Sequence, residues 1–172
     1  MTESDIPELR KLFLHFGEIG QGFGVDEYPC THDTMEIMMN YYNVIIEERS
    51  TSKPVGMMTI GDSLYSRGQK YVDSSAFILP EFFGAGMGTE MVKMVWGISK
   101  DIGGYEGLLT DIVFNNMKTL RMNRTLGYTP LGCLPRSVRM VDHGWMDALL
   151  YCATFDNYQS FKEIMSAQKS KY

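Results

Sequence analysis

A chain of 172 residues with 44% hydrophobic and 22% charged side chains has the composition of one globular domain, which excludes a disordered or fibrous protein. Its net charge of −5 excludes nonspecific nucleic-acid binding as the main activity, although Lys118, Arg121 and Arg124 can form a local basic patch. The three cysteines, Cys30, Cys133 and Cys152, show neither metal-ligand spacing nor a disulfide framework, which fits a reducing compartment.

The acidic start Met1-Thr2-Glu3-Ser4-Asp5 lacks the pattern of a signal peptide, and no apolar run reaches the length of a membrane span. A cytoplasmic location without a membrane partner is therefore expected. The 14 methionines read first as adaptable core filling, with a docking surface as the alternative.

Ile6, Leu9, Phe13 and Phe16 recur at helical spacing behind Ser4-Asp5 and Pro7, predicting a first helix with a cap and an early proline. Gly17 to Gly24 reads as a loop, followed by the acidic and aromatic Asp26-Glu27-Tyr28. A second helix is expected from Thr31 to Asp33 onward, carrying Met35, Met38, Met39 and Tyr42. Val44-Ile45-Ile46 opens a strand, and Ser50 to Pro54 is turn chemistry. Val55 to Ile60 makes the next strand, joined through Gly61 to Gly68 to a longer one from Gln69 to Leu79. Along that strand Val72, Ser74, Ala76 and Ile78 face one side, and Tyr71, Asp73, Ser75 and Phe77 the other.

Met91, Met94, Val95, Ile98 and Ile102 form a helical stripe that ends at Gly103-Gly104. Leu108 to Phe114 is β-like with apolar residues on both faces, which predicts a central strand. Asn115-Asn116 leads into a helix through Leu126, stopped by Gly127. Tyr128 to Leu131, Ser137 to Val141 and Trp145 to Thr154 read as late strands. A final amphipathic helix is expected from Asn157 to about Gln168, with Phe161, Ile164 and Met165 on one face. No linker or repeat divides the chain. The order of elements predicts an α/β fold, one central mixed, twisted sheet flanked by helices. Residues 1–155 form its single domain, and 156–172 a C-terminal helix and tail.

Between the long strand and the following helix, Gly84, Gly86 and Gly88 alternate. Glycine allows φ > 0 and close approach of backbone N–H groups to a ligand, and the helix start adds unpaired donors and a positive dipole end. A phosphate or pyrophosphate pocket is expected, with a tight turn of close packing as the plainer alternative. Gly88-Thr89-Glu90 has no lysine, which excludes an NTP-hydrolysing P-loop. A dinucleotide fold requires G-x-G-x-x-G after the first strand, and Gly84-x-Gly86-x-Gly88 follows a late one.

From Val44 to Phe155 the chain resembles the GNAT superfamily of N-acetyltransferases. In that family a fourth strand leads into Gln/Arg-x-x-Gly-x-Gly/Ala and a helix aimed at the pyrophosphate of acetyl-CoA. Gly86 and Gly88 match the two glycines. A fifth strand splays from the fourth, and an Asn then opens a helix ending in Gly-Phe or Gly-Tyr, as Asn116 to Leu126-Gly127-Tyr128 does here. The run Leu131-Gly132 … Asp142-His143-Gly144-Trp145-Met146-Asp147 is similar to small-molecule and amino-acid acetyltransferases.

The resemblance implies acetyl-CoA as co-substrate, and the histidine spacing gives no metal to expect beside it. Backbone amides of Phe83, Gly84, Ala85, Gly86, Met87, Gly88 and Thr89 would hold the pyrophosphate. Pantetheine would pair with the opened edge beside Phe77, Ile78 and Leu79, and an N–H around Ile78 or Leu79 would polarise the thioester carbonyl. Asn116 would lie near the cofactor arm, or act as a plain helix cap.

Three positions depart from the family pattern. Phe83 stands where Gln or Arg is usual. Asn123 stands where a tyrosine protonates the leaving thiolate, and an amide can only hydrogen-bond the sulfur. Only Met1 to Ser4 precede the first helix, where members carry a strand.

Asp73 in the family's fourth strand and Asp111 in its fifth are the candidate general bases. Asp26, Glu27 and Tyr28 are expected to shape the acceptor pocket, with Tyr151 and Asp147 beside it. His15, His32 and His143 have no second ligand at metal spacing. Cys133 and Cys152 read as small buried hydrophobes. The resulting expectation is transfer of an acetyl group from acetyl-CoA to a primary amine of a small molecule or protein, by direct attack in a ternary complex. The sequence is compatible with a homodimer. The alternative is a GNAT-like binding or structural protein without turnover, acting through its C-terminal helix and the basic end Lys169-Ser170-Lys171.

Overall fold

The computed structural model describes residues 3–18, 41–63, 65, 70–102, 104–114, 116–140 and 143–157. A 3-10 turn at Glu3–Asp5 leads into α1 (Ile6–Glu18), whose Ile6, Leu9 and Leu12 are buried at helical spacing. No strand precedes α1 among the described residues.

Three antiparallel strands follow: β1 (Tyr42–Glu47), β2 (Pro54–Asp62) and β3 (Tyr71–Ile78). The turn between β1 and β2 closes by hydrogen bonds from the Thr51 and Ser52 N–H groups to the Glu48 carbonyl. After β3 the chain crosses over through α2 (Met87–Ile102) to β4 (Gly107–Val113), which lies parallel to β3. The short α3 (Met117–Thr125) leads to a long hairpin, β5 (Thr129–Met140) and β6 (Gly144–Thr154), and β6 pairs antiparallel with β4. The six strands form one mixed sheet in the order β1-β2-β3-β4-β6-β5, which makes β4 central as its two-sided apolar sequence predicts.

Register assigns the two faces. Met58, Ile60, Val72, Ile78, Leu108 and Ile112 belong to the core packed with Met91, Val95 and Trp96 of α2 and Leu120 of α3. Their strand neighbours Met57, Phe77, Asp73 and Asp111 point to the opposite face, where α1 packs on β2.

Four expectations change. Tyr42 begins β1 and belongs to no helix. Met94 is 45% exposed, and Trp96 and Ser99 take its place on the buried side of α2. The stretches read as separate strands around Tyr128 to Leu131 and Ser137 to Val141 join into the single β5. That strand absorbs extra residues as bulges between Pro130 and Gly132 and between Leu134 and Val138. Opposite the second bulge the Asp147 carboxylate accepts the Arg136 N–H at 2.8 Å, holding Arg136 at φ 49°. Asp147 therefore has a structural task. The expected second helix over 31–40 and C-terminal helix beyond Asn157 lie outside the described residues.

Candidate functional site

The parallel pairing of β3 with β4 covers only Tyr71↔Gly107, Val72↔Leu108 and Asp73↔Leu109. A last link, from the Thr110 hydroxyl to the Ser74 carbonyl, is stretched to 3.5 Å. Beyond it β3 stays paired with β2 as far as Gly56↔Ile78, and β4 with β6 as far as Val113↔Ala148. The sheet therefore opens into a cleft between two strands that each keep their outer partner. The Leu79 N–H donates to the Val55 carbonyl at 2.8 Å, on the β2 side. Alternate residues of a strand direct their backbone groups to opposite edges, so Ala76 and Ile78 present theirs to the cleft. Of the two amides expected to face a ligand, that of Ile78 faces the cleft and that of Leu79 is taken by Val55.

At the end of β3 a 3-10 turn, Pro80–Phe82, leads into the glycine segment. Gly84 and Gly86 have φ of +85° and +79°, and a Cβ at either would meet nothing within 4 Å. Backbone angle, not space, requires glycine there. The Phe83 N–H donates to Pro80 and the Thr89 N–H to Gly86. Between them the N–H groups of Gly84, Ala85, Gly86, Met87 and Gly88 donate to no described group. The expected cradle from Phe83 to Thr89 thus narrows, because its two end amides are already used. These five donors gather at the start of a 16-residue helix, at the mouth of the cleft, an arrangement that suits an anion.

α3 lies along this turn. Asn116 caps it, its side-chain carbonyl accepting the Thr119 N–H at 3.2 Å. Lys118 places its ammonium 5.1 Å from the centre of the Phe83 ring, which is 40% exposed. One turn later the Met122 sulfur approaches the position a Gly88 Cβ would occupy, at 4.0 Å. Asn123 is only 3% exposed, on the inner side of α3.

On the other face Asp73 and Asp111 share one side of the sheet, at the point where β3 and β4 part. Burial, then the Asp111 and Asp73 carboxylates, push the Tyr65 hydroxyl above its usual pKa. Sequence reasoning missed Tyr65, since its turn has no periodicity to mark it. Tyr151, expected beside the acceptor, is 2% exposed in the core with Trp96 and Tyr128. It packs there and lines no open surface. Asp26, Glu27 and Tyr28 lie outside the described residues, as do Cys30 and His32.

Cys133, expected to be buried, is exposed on β5. Desolvation and the adjacent Asp147 carboxylate push its thiol pKa up, which disfavours the thiolate needed for nucleophilic attack. Cys152 is half-buried and its thiol is also pushed up by burial. Among the described residues no cluster of three or more His, Cys, Asp or Glu side chains could hold a metal ion, and no helix is long and apolar enough to cross a membrane.

No protein-family model matches the chain, and no curated protein matches it. Solved structures do. A GCN5-related N-acetyltransferase from Kribbella flavida superposes with a TM-score of 0.75 at 13% identity, covering 90% of this chain and 94% of that one. The fold is that of the GCN5-related N-acetyltransferases. A ribosomal-protein-alanine N-acetyltransferase from Brucella melitensis matches the same GNAT fold at TM-score 0.72 and 18% identity, over 90% of this chain and 96% of its own. A GNAT superfamily phosphinothricin acetyltransferase from Sinorhizobium meliloti, in complex with AcCoA, matches at TM-score 0.70 and 18% identity, over 87% and 84%. In GNAT terms, β3 and β4 are the splayed fourth and fifth strands that the sequence resemblance implies.

Proposed function

We propose that this chain is a cytoplasmic acyltransferase that moves an acetyl group from acetyl-CoA to a primary amine of a small molecule or a protein, by direct attack with both substrates bound. The observation that carries the reading is the row of unpaired amides from Gly84 to Gly88 at the mouth of the β3–β4 cleft. A pyrophosphate can occupy several such donors at once, and the dipole of α2 adds to the attraction. The open edge beside Phe77, Ile78 and Leu79 suits the amides of a pantetheine arm. The N-acetyltransferase names of structural neighbours, and the AcCoA complex of one, add support. Residues 1–155 would form the catalytic domain and 156–172 a C-terminal helix and tail, with a homodimer compatible.

Acetyl-CoA supplies the acyl group as a thioester. In this reading the Ile78 N–H donates to the thioester carbonyl, and the bond strengthens as negative charge gathers on that oxygen. Asn123 hydrogen-bonds the sulfur, and the departing thiolate takes its proton from water, since an amide has no acidic proton near neutral pH. Asp73 or Asp111 accepts the proton of the attacking amine, and both attract its ammonium form. Asp26, Glu27 and Tyr28 complete the acceptor pocket.

Calorimetry with acetyl-CoA tests the reading. Binding with release of free CoA on adding an amine supports it, and no heat at millimolar acetyl-CoA from folded protein overturns it. A second reading, a GNAT-fold binding protein without turnover, draws on Asn123 in place of a tyrosine acid. Binding of CoA with no thiol release across a broad amine panel selects it.

A further inference from the structure

We propose that Lys118 supplies the positive charge of the phosphate site, held ready by the Phe83 ring and transferred to a phosphate oxygen when the ligand binds. The inference rests on the acetyl-CoA reading above and names a residue of that same site.

Three observations carry it. Lys11, Lys70 and Lys93 each pair with a glutamate, whereas Lys118 makes no ion pair among the described residues. Its ammonium instead lies 5.1 Å from the centre of the Phe83 ring, and Phe83 immediately precedes the unpaired amides that begin at Gly84. Met122, four residues on, approaches Gly88 at the other end of that row. Residues four apart share a helix face, so one face of α3 runs along the whole turn, with its cation at the Gly84 end.

The cradle itself has only backbone dipoles to offer an anion. A pyrophosphate brings formal charge, and a lysine within reach answers it. An exposed ring face holds an ammonium more weakly than a phosphate oxygen does, so the exchange runs toward the ligand. Phe83 at this position thereby orients the cation without competing for the anion. CoA carries two such groups, its pyrophosphate and its 3′-phosphate, and both offer the same chemistry to Lys118.

The test is calorimetry of CoA and dephospho-CoA with the wild type, Lys118→Gln, and Lys118→Gln combined with Phe83→Arg, over a range of salt. Lys118→Gln is expected to weaken CoA about tenfold, the size of one charge-assisted hydrogen bond, and to flatten the dependence of affinity on salt. Equal weakening of dephospho-CoA assigns the contact to the pyrophosphate, and weakening of CoA alone assigns it to the 3′-phosphate. Phe83→Arg returns a cation to the turn and restores affinity and salt dependence in the Lys118→Gln background. Unchanged CoA affinity in Lys118→Gln, or a loss with unaltered salt dependence, overturns the assignment while leaving the acetyl-CoA reading intact. Absence of binding by the wild type overturns both.

Discussion

The indole N–H of Trp96 donates to the Tyr128 hydroxyl over 2.9 Å inside the core, with the two rings edge-on at 83°. Trp96 belongs to the helix behind the glycine turn, and Tyr128 follows the glycine that ends α3. The bond therefore ties together the two segments by which the chain resembles an acetyltransferase. Phe155 closes against the other side of Trp96, its ring centre 5.8 Å away. Burial pushes the Tyr128 hydroxyl well above its ordinary pKa, so it stays neutral and keeps accepting this bond at any ordinary pH.

Tyr128→Phe removes the hydroxyl that accepts the Trp96 indole N–H. Urea unfolding is expected to show a loss of about 1–3 kcal/mol. The double variant with Trp96→Phe should lose less than the sum of the two single changes, because each single change already removes the same bond. Strict additivity would mean that the bond does not couple the two segments.

Gly86→Ala is expected to cost about 1–2 kcal/mol of stability, because an L-residue must adopt the φ of +79° seen there. Open space around the site leaves no clash to add. Gly86→Asp brings in a carboxylate at the anion site and should abolish CoA binding in a protein that still melts cooperatively. Calorimetry beside a thermal melt separates the two effects, and retained affinity in Gly86→Asp would refute the phosphate cradle.

Asn123→Leu puts an apolar side chain at a position that is only 3% exposed, on the inner side of α3. Its unfolding free energy should be unchanged or raised, and its turnover lowered about tenfold, the value of one hydrogen bond to a charged group. The opposite pattern, a destabilised protein with full turnover, would make Asn123 a structural residue.

Asp73→Asn together with Asp111→Asn removes two negative charges that raise the Tyr65 pKa. That pKa should then fall part of the way back toward 10.0, with the larger effect of burial remaining. The ultraviolet titration difference between each background and its Tyr65→Phe counterpart reads this directly. The same double variant should lose the acidic limb of the kcat/KM profile if either carboxylate is the base. An unmoved Tyr65 titration would separate the three groups in space.

The glycine turn, the Asn116 cap and the Gly127 stop were legible in the residues because each meets a local backbone need: φ > 0, an unpaired N–H, or the end of a helix. Strand identity was legible for the same reason, since alternation and turn chemistry act over a few residues. The bulged β5 was not. Its continuity depends on Asp147, eleven residues away from the Arg136 N–H it accepts.

The remaining features of the site depend on pairing between distant segments. Only the register of β3 against β2 decides that Ile78 faces the cleft and that the Leu79 N–H is used by Val55. Only the end of the β3–β4 ladder opens the cleft beside Asp73 and Asp111. The same holds for the approach of Lys118 to Phe83, 35 positions apart by number. Local chemistry thus marked where an anion could bind, through residues whose needs are met within one turn of chain. Which of its amides have no partner among the described residues, and that Lys118 lies over Phe83, followed from hydrogen bonds and packing between elements, which no local pattern encodes.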